Sequence, residues 1–304
     1  MPTPKRIITC RPRSLPQEHW IRASRNAVAI NPLNFAPSAR FGATIGGFTD
    51  SPMRAAVRIN RYWGATGVHL TVGFLDGPPA ALQKRILLHM NAWSKTANVR
   101  FSPSKTDPDV RIARIENDPD NDGYWSYVGT EIREIAADKP TMNLEGFTTT
   151  TPDSEFHRVV RHETGHTMGL EHEHMRRQLV EKIDVKKAIA FYAVDQHWSE
   201  AEVRDQVLTP IEASSIRGTA HADPHSIMCY EIPGSITKSG KPIIGGLDID
   251  EMDYAFAKLI YPKSVLANGA GTGKNAKKAK KAKKKVTKTK KASKAVKTTA
   301  RRHA

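Results

Sequence analysis

The sequence is short of cysteine, of long apolar runs and, in its last part, of acidic residues, and each shortage removes a class of protein. Two cysteines, Cys10 and Cys229, lie far apart in 304 residues. They cannot build the dense disulfide framework of a small secreted domain, and structural thiols are the expectation for both, with a single bridge the alternative. No apolar run approaches the roughly 18 residues that cross a bilayer, so no transmembrane helix is expected. The first residues, MPTPKRIITCRPRS, are basic but lack the apolar stretch of a secretory signal. Nothing in the sequence therefore directs the chain through a standard export pathway, which leaves a cytoplasmic location, a leaderless route or an incomplete N-terminus open. From Lys274 to Arg302 there are 13 Lys and 2 Arg and no acidic residue. The formal charge of +16 belongs to that tail, because the rest holds 32 basic against 31 acidic residues.

What is present suits one globular body with two appendages: 39% hydrophobic and 26% charged residues are ordinary for a soluble domain. Residues 1–58 are rich in Pro, Arg, Asn and Gly and read as an irregular arm or a removable pro-segment. The body runs over 59–263. V-H-L-T-V-G-F-L (68–75) alternates as a strand does, and 80–96 places Leu82, Ile86, Leu87, Met90 and Trp93 at helical spacing. Strands are expected at 99–102, 110–115 and 125–132. Pro152 and Asp153 start a helix that runs to about 168 and ends at Gly169. Further helices are expected near 184–196, 199–208 and from Asp248 to before Pro262. Residues 224–230 read as a turn. Strands come early and helices late, which predicts an α+β fold rather than alternating βαβ units. No solenoid-type repeat is present. Residues 264–304 open with a Gly-rich linker and continue as Lys/Ala/Thr low-complexity sequence, expected to be disordered.

The chemistry is concentrated in H-E-T-G-H-T-M-G-L-E-H, residues 162–172. His162 and His166 are four apart on the predicted helix, so their imidazoles project from one face. Gly169 permits a positive φ and a sharp turn, which brings His172 back as a third ligand. Three histidines leave a coordination position for water, the arrangement of a catalytic rather than a structural zinc. Such an ion lowers the pKa of water to about 7. Glu163 follows the first ligand directly and is placed to take a proton from that water and pass it to a leaving amine. A polar surface helix rich in histidine is the bland alternative.

The eleven-residue motif, the His172-Glu173 pair that extends it and S-I-M-C-Y at 226–230 together resemble the metzincin zinc peptidases, and the astacin family most. The likeness covers roughly 60–262 and includes W-S-Y-V-G (125–129), T-M-N-L (141–144) and L-I-Y-P (259–262). It implies a catalytic domain with a twisted mixed β-sheet, an active-site helix carrying the zinc ligands and a helical C-terminal subdomain. It implies a zinc metalloendopeptidase acting on protein or peptide substrates, outside the cell. Met228 would then form the floor beneath the imidazoles. Tyr230 would be a metal ligand that swings away to hydrogen-bond the tetrahedral intermediate. Ordinary core packing is the alternative for both. W-S-Y-V-G would lie near the edge strand that pairs with an extended substrate.

Arg176 matches the family's continuation, but the usual Asp-Arg pair after it is missing, and Cys229 stands where the family usually has His. That thiol is a packing residue or a redox-sensitive group. The resemblance gives Glu173 the task of anchoring a matured N-terminus. If residues 1–58 are a pro-segment, Asp50 and Cys10 are candidates for a zinc-blocking ligand; a structural arm is the alternative. His174 is expected to face solvent or support the loop, and no further histidine is assigned to the metal. The tail is a solubilising segment or a non-specific, salt-sensitive contact to polyanions. From a different functional class comes a non-catalytic, zinc-containing protein that binds peptides or polyanions. The intact Glu163 argues against it, since a structural zinc has no use for that carboxylate.

Overall fold

The computed structural model describes residues 10–11, 13–34, 61–118, 121, 123–211 and 222–263. All lie in the first of two compact units, which ends at Lys263. The expectations for Asp50 and for the basic tail fall outside the described residues.

The body is built on a five-stranded sheet: β1 (Val68–Phe74), β2 (Val99–Pro103), β3 (Val110–Ala113), β4 (Tyr124–Ser126) and β5 (Met142–Leu144). Their order is β2-β1-β3-β5-β4. β1 runs parallel to β2 and β3, β3 parallel to β5, and β4 antiparallel to β5 with Trp125 opposite Asn143. The sheet is therefore mixed. The inner strands β3 and β5 are buried throughout, as expected where both faces are covered.

Before the sheet comes α1 (Trp20–Ile30), and after β1 comes α2 (Ala80–Met90). Leu82, Ile86 and Met90 of α2 recur at four-residue spacing and are fully buried. The expected helix to 96 stops earlier, because residues 91–95 tighten into a 3₁₀ turn that drops Trp93 into the core. The Asn91 side chain holds that junction. It donates to the carbonyls of Leu87 and Phe101 and accepts from the Phe101 amide.

The strand expected at 125–132 is cut to three residues. Gly129 turns the chain with φ +55°, and a Cβ there would stand 1.9 Å from the Arg61 carbonyl oxygen. Residues 129–134 form a 3₁₀ turn instead. In this turn Glu131 is buried against Arg61, which also pairs with Glu171 at 2.6 Å. Burial pushes the Glu131 carboxyl up to about 7 despite that cation.

Helix α3 spans 153–167, with a π-helical stretch at 156–160 between two α-helical pieces. The sequence predicts a plain α-helix here. Beyond it, α4 (Val185–Asp195) and α5 (Glu200–Val203, continued by a π turn to Leu208) enclose a second apolar cluster with Leu179, Tyr192, Trp198 and Ile232. The last helix, α6 (Glu251–Ile260), starts three residues later than expected because Asp250 acts as its N-cap, accepting from the Asp253 amide at 2.7 Å. Tyr261 then returns to the main core and donates to the Met168 carbonyl. A sheet whose strands end by residue 144, with most of the helices after it, is the α+β arrangement read from the sequence, although α1 precedes the sheet and α2 crosses from β1 to β2. Among the described residues no helix is long and apolar enough to cross a membrane.

Candidate metal centre

Helix α3 ends at Thr167, and the way it ends makes the site. The Gly169 amide donates to the His166 carbonyl at 2.8 Å and the Leu170 amide to the Gly165 carbonyl at 2.9 Å. This double bond around a left-handed residue, Gly169 at φ +98°, is the Schellman motif. It reverses the chain, so His172 meets His162 and His166 at the same point. Both His162 Nε2 and His166 Nε2 stand 3.2 Å from His172 Nε2.

Two of the rings are fixed from behind. His162 Nδ1 lies 2.6 Å from the Ile227 carbonyl and His166 Nδ1 lies 2.8 Å from the Leu170 carbonyl. A carbonyl only accepts, so each Nδ1 carries the proton and each Nε2 presents a lone pair. His172 can offer at most one N–H to two acceptors, whereas a cation would satisfy all three nitrogens. Nitrogens about 2.05 Å from a tetrahedral zinc stand roughly 3.3 Å apart, close to the separations found. The donor set fits the ion that the sequence implies.

Burial sets the protonation. It pushes His166 down to about 4 and holds His162 and His172 well below the ordinary imidazole value. Neutral imidazole is the ligand form. Glu163 is 1% exposed, and burial pushes its carboxyl up to about 8. Among the described residues neither of its oxygens meets a nitrogen or oxygen partner; the polar group facing it is the Cys10 thiol. Cys10 also completes the cluster: its Sγ and one nitrogen of each of the three histidines all lie within 4.8 Å of one another.

The floor is the turn at 226–230. A Cβ on Gly165 would stand 2.4 Å from Met228 Sδ, so the methionine packs directly beneath the helix between His162 and His166. Asp253 of α6 holds this turn. It accepts from the Ser226 hydroxyl at 2.6 Å and from the Ile227 amide at 2.8 Å. That fixes the carbonyl that orients His162. Burial pushes the Asp253 carboxyl up to about 7. The Tyr230 ring lies 5.1 Å from the His172 ring, and its hydroxyl donates to the Gln206 carbonyl at 3.5 Å. Burial raises that hydroxyl well above its ordinary value, with Tyr192 and then Cys10 adding to the effect.

His174 does not face solvent. It is fully buried, packs tilted against the Tyr230 ring at 3.8 Å between centroids and contacts the Gln206 carbonyl at 3.1 Å, so it supports the loop. Cys229 is buried in the second apolar cluster, and burial pushes its thiol up to about 12, the condition of an inert packing residue. Cys10 and Cys229 are both free. Glu173 pairs with Arg176, accepts from the Asp223 amide and lines a cavity of about 70 Å³ with Tyr62, Asp223 and Asp253.

The sequence reading assigns His162, His166, His172 and Tyr230 to the metal, Glu163 to its water and Met228 to the floor; the structure draws the three imidazoles together with Glu163 and Met228 beside them, while the Tyr230 hydroxyl bonds the Gln206 carbonyl. The sequence reading misses Asp253 and the carbonyls of Ile227 and Leu170. A carbonyl has no signature in sequence; Asp253 had one, a buried acceptor required by the hydroxyl and amides of a tight S-I-M turn.

The peptidase family model Astacin matches residues 58–232. A structure of myroilysin matches at 28% identity and a TM-score of 0.62, covering 67% of this chain and 97% of that one. A second myroilysin crystal structure has the same identity and a TM-score of 0.51, covering 67% and 86%. High choriolytic enzyme 1, a hatching enzyme zinc-protease from the medaka fish Oryzias latipes, follows at 15% identity and 0.43, covering 64% and 90%. No curated protein sequence gives a significant match. The chain belongs to the astacin family of peptidases.

Proposed function

We propose that the chain is a zinc-dependent metalloendopeptidase, with His162, His166 and His172 as metal ligands and Glu163 as general base. One observation carries this reading: three Nε2 atoms converge within bonding distance of a common point, beside a buried carboxylate that has no nitrogen or oxygen partner among the described residues. Zinc bound there supplies a Lewis acid and lowers the pKa of water from 15.7 to about 7. Glu163 takes the proton of the attacking water and returns it to the leaving amine, the two transfers peptide hydrolysis needs. Tyr230 supplies a hydroxyl to the oxyanion that forms on the scissile carbonyl. β4 pairs with β5 along one edge, and its other edge takes an extended peptide through backbone hydrogen bonds, as sheet augmentation does. The polybasic stretch 274–302 serves as a salt-sensitive polyanion contact; polyanion binding unchanged by deleting 268–304 removes that role.

The four-ligand cluster favours a second reading. A set of four protein ligands closes the coordination sphere as structural zinc sites do, and the chain would then be a non-catalytic protein that binds peptides or polyanions. Against it stands Glu163, because a buried carboxylate without a nitrogen or oxygen partner among the described residues costs several kcal/mol and gives a structural site nothing. Metal analysis combined with peptide-library cleavage, before and after limited proteolysis of the N-terminal region and with and without a chelator, separates the two. Stoichiometric zinc with chelator-sensitive cleavage is the expected result. Bound zinc without cleavage in either form establishes the second reading.

A further inference from the structure

Helix α3 carries a second pair of metal-ligating side chains at its start, outside the eleven-residue motif. Asp153 and His157 are four residues apart and project from one face of it. His89, in the last turn of α2, meets them there. One ligand atom from each of the three lies within 4.8 Å of the other two. Asp153 stands between the imidazoles: its Oδ1 is 3.4 Å from His89 Nε2, and its Oδ2 is 3.3 Å from His157 Nε2. The two rings meet edge-on with centroids 5.0 Å apart, within the 4.6–5.2 Å found among His162, His166 and His172.

These separations are poor hydrogen bonds and good metal edges. Both exceed the roughly 2.7–2.9 Å of a charge-assisted bond, and both match the roughly 3.3 Å edge of a tetrahedral zinc site. His157 is fixed from behind as His162 is, with Nδ1 2.8 Å from an Asp248 oxygen. A carboxylate accepts, so Nδ1 carries the proton and neutral His157 turns its Nε2 lone pair towards the Asp153 carboxylate. Two acceptors then face each other, and a cation between them satisfies both. The alternative, an imidazolium donating to both carboxylates, would draw Asp153 closer than 3.3 Å. His89 is 4% exposed, and burial first and the Arg161 charge second lower its pKa, so it too is neutral at physiological pH. Arg85 bonds Asp153 Oδ1 at 2.9 Å, but a carboxylate oxygen has two lone pairs, and this bond survives ligation. Arg161 donates to His89 Nδ1 at 3.3 Å and lies 3.4 Å from His157 Nε2. Ligation costs these two long contacts and moves the His89 proton from Nε2 to Nδ1, while Arg161 keeps its partner Asp248.

We propose that His89, Asp153 and His157 form a second divalent-metal site, fitted to zinc, that ties α2 to the start of the helix carrying His162 and His166. Imidazole nitrogen and carboxylate oxygen are the ligand types that zinc takes besides thiolate. Asp153 is exposed, so an ion enters from solvent and water fills the remaining position. Asp248 is the supporting carboxylate behind His157, and its bond to the Ile249 amide connects the site to the turn before α6. The site uses none of the three histidines of the motif, so it goes beyond the metallopeptidase reading and stands apart from it.

Zinc titration of the full-length chain, read by metal analysis after equilibrium dialysis, tests this. Two equivalents are expected, the tighter at the three histidines. Asp153→Asn and His157→Gln should each retain one equivalent and unchanged chelator-sensitive cleavage. Asp248→Asn keeps every ligand and should weaken the second equivalent by about 10–100-fold, an effect that adventitious surface binding would not show. The second equivalent should also raise the urea midpoint of the unsubstituted chain and leave that of Asp153→Asn where it was. A second equivalent that survives in both ligand variants belongs elsewhere and overturns the proposal. A single equivalent that both variants keep overturns it as well. A single equivalent that both variants lose would uphold this site and remove the three-histidine one. Asp153 is exposed, so Asp153→Asn carries the test if His157→Gln does not fold.

Discussion

Met228 Sδ occupies the space beside Gly165 so closely that a Cβ on the glycine would stand 2.4 Å away. Glycine inside a helix is ordinarily a weakness, and alanine there gains about 1 kcal/mol of helix propensity. Here the gain is opposed by overpacking, which costs about 1–3 kcal/mol. Methionine adapts better than other side chains, but the Met228 amide is held by the Ser226 hydroxyl at 3.0 Å and the residue is 3% exposed. Gly165→Ala is therefore expected to lower stability by up to about 2 kcal/mol in urea unfolding and to weaken zinc binding. A raised midpoint would show that Met228 moves aside freely.

Glu163→Gln tests the general base. Glutamine keeps the shape and removes the proton acceptor, and none of the three imidazoles bonds to Glu163, so zinc content should stay stoichiometric. Hydrolysis should fall by about 10²–10⁴-fold. Unaltered turnover of a casein-type substrate would assign the base elsewhere.

The histidine cluster was legible because it is local. Four residues separate His162 from His166, a glycine supplies the reversal, and six more residues return the third imidazole. The same locality made the order of strands and helices readable. What escaped depends on distant partners. The 125–132 strand stops short because the Arg61 carbonyl presses on Gly129, 68 residues away in sequence. The π stretch at 156–160 leaves no mark in the apolar spacing of Phe156, Val159 and Val160. His174 was left between solvent and loop because its partners, Tyr230 and Gln206, lie 32 or more residues downstream. Cys10 was readable as a candidate zinc-blocking ligand, but only the edge of β4 shows how it reaches the histidines.

Asp253 gives the metal-free protein a pH-dependent stability. Its carboxyl is raised to about 7 in the folded chain, well above the unfolded value near 3.8, so the fold holds the proton more tightly. The stabilisation is complete below about pH 4 and is lost as pH rises through 7. Between pH 6 and 8 this group alone should remove about 1 kcal/mol. Glu131, also raised to about 7, acts in the same direction. Asp253→Asn should therefore reduce the slope without abolishing it, measured by urea unfolding in the presence of a chelator. An unchanged slope would mean the Asp253 carboxylate stays charged across this range.

Tyr230→Phe separates the ring from its hydroxyl. The ring packs tilted against His174 at 3.8 Å and edges against His172 at 5.1 Å, and phenylalanine keeps both contacts. The hydroxyl's bond to the Gln206 carbonyl is long, 3.5 Å, so its loss should cost the fold less than about 1 kcal/mol. If the hydroxyl turns to the oxyanion during hydrolysis, the bond it makes there exists in the transition state and not in the ground state. The variant should then lose about 10²-fold in kcat with little change in KM, a smaller loss than the larger ones open to Glu163→Gln. An effect confined to KM would place the hydroxyl in substrate binding, and no effect on either constant would reduce Tyr230 to the ring that holds His172 and His174 in place.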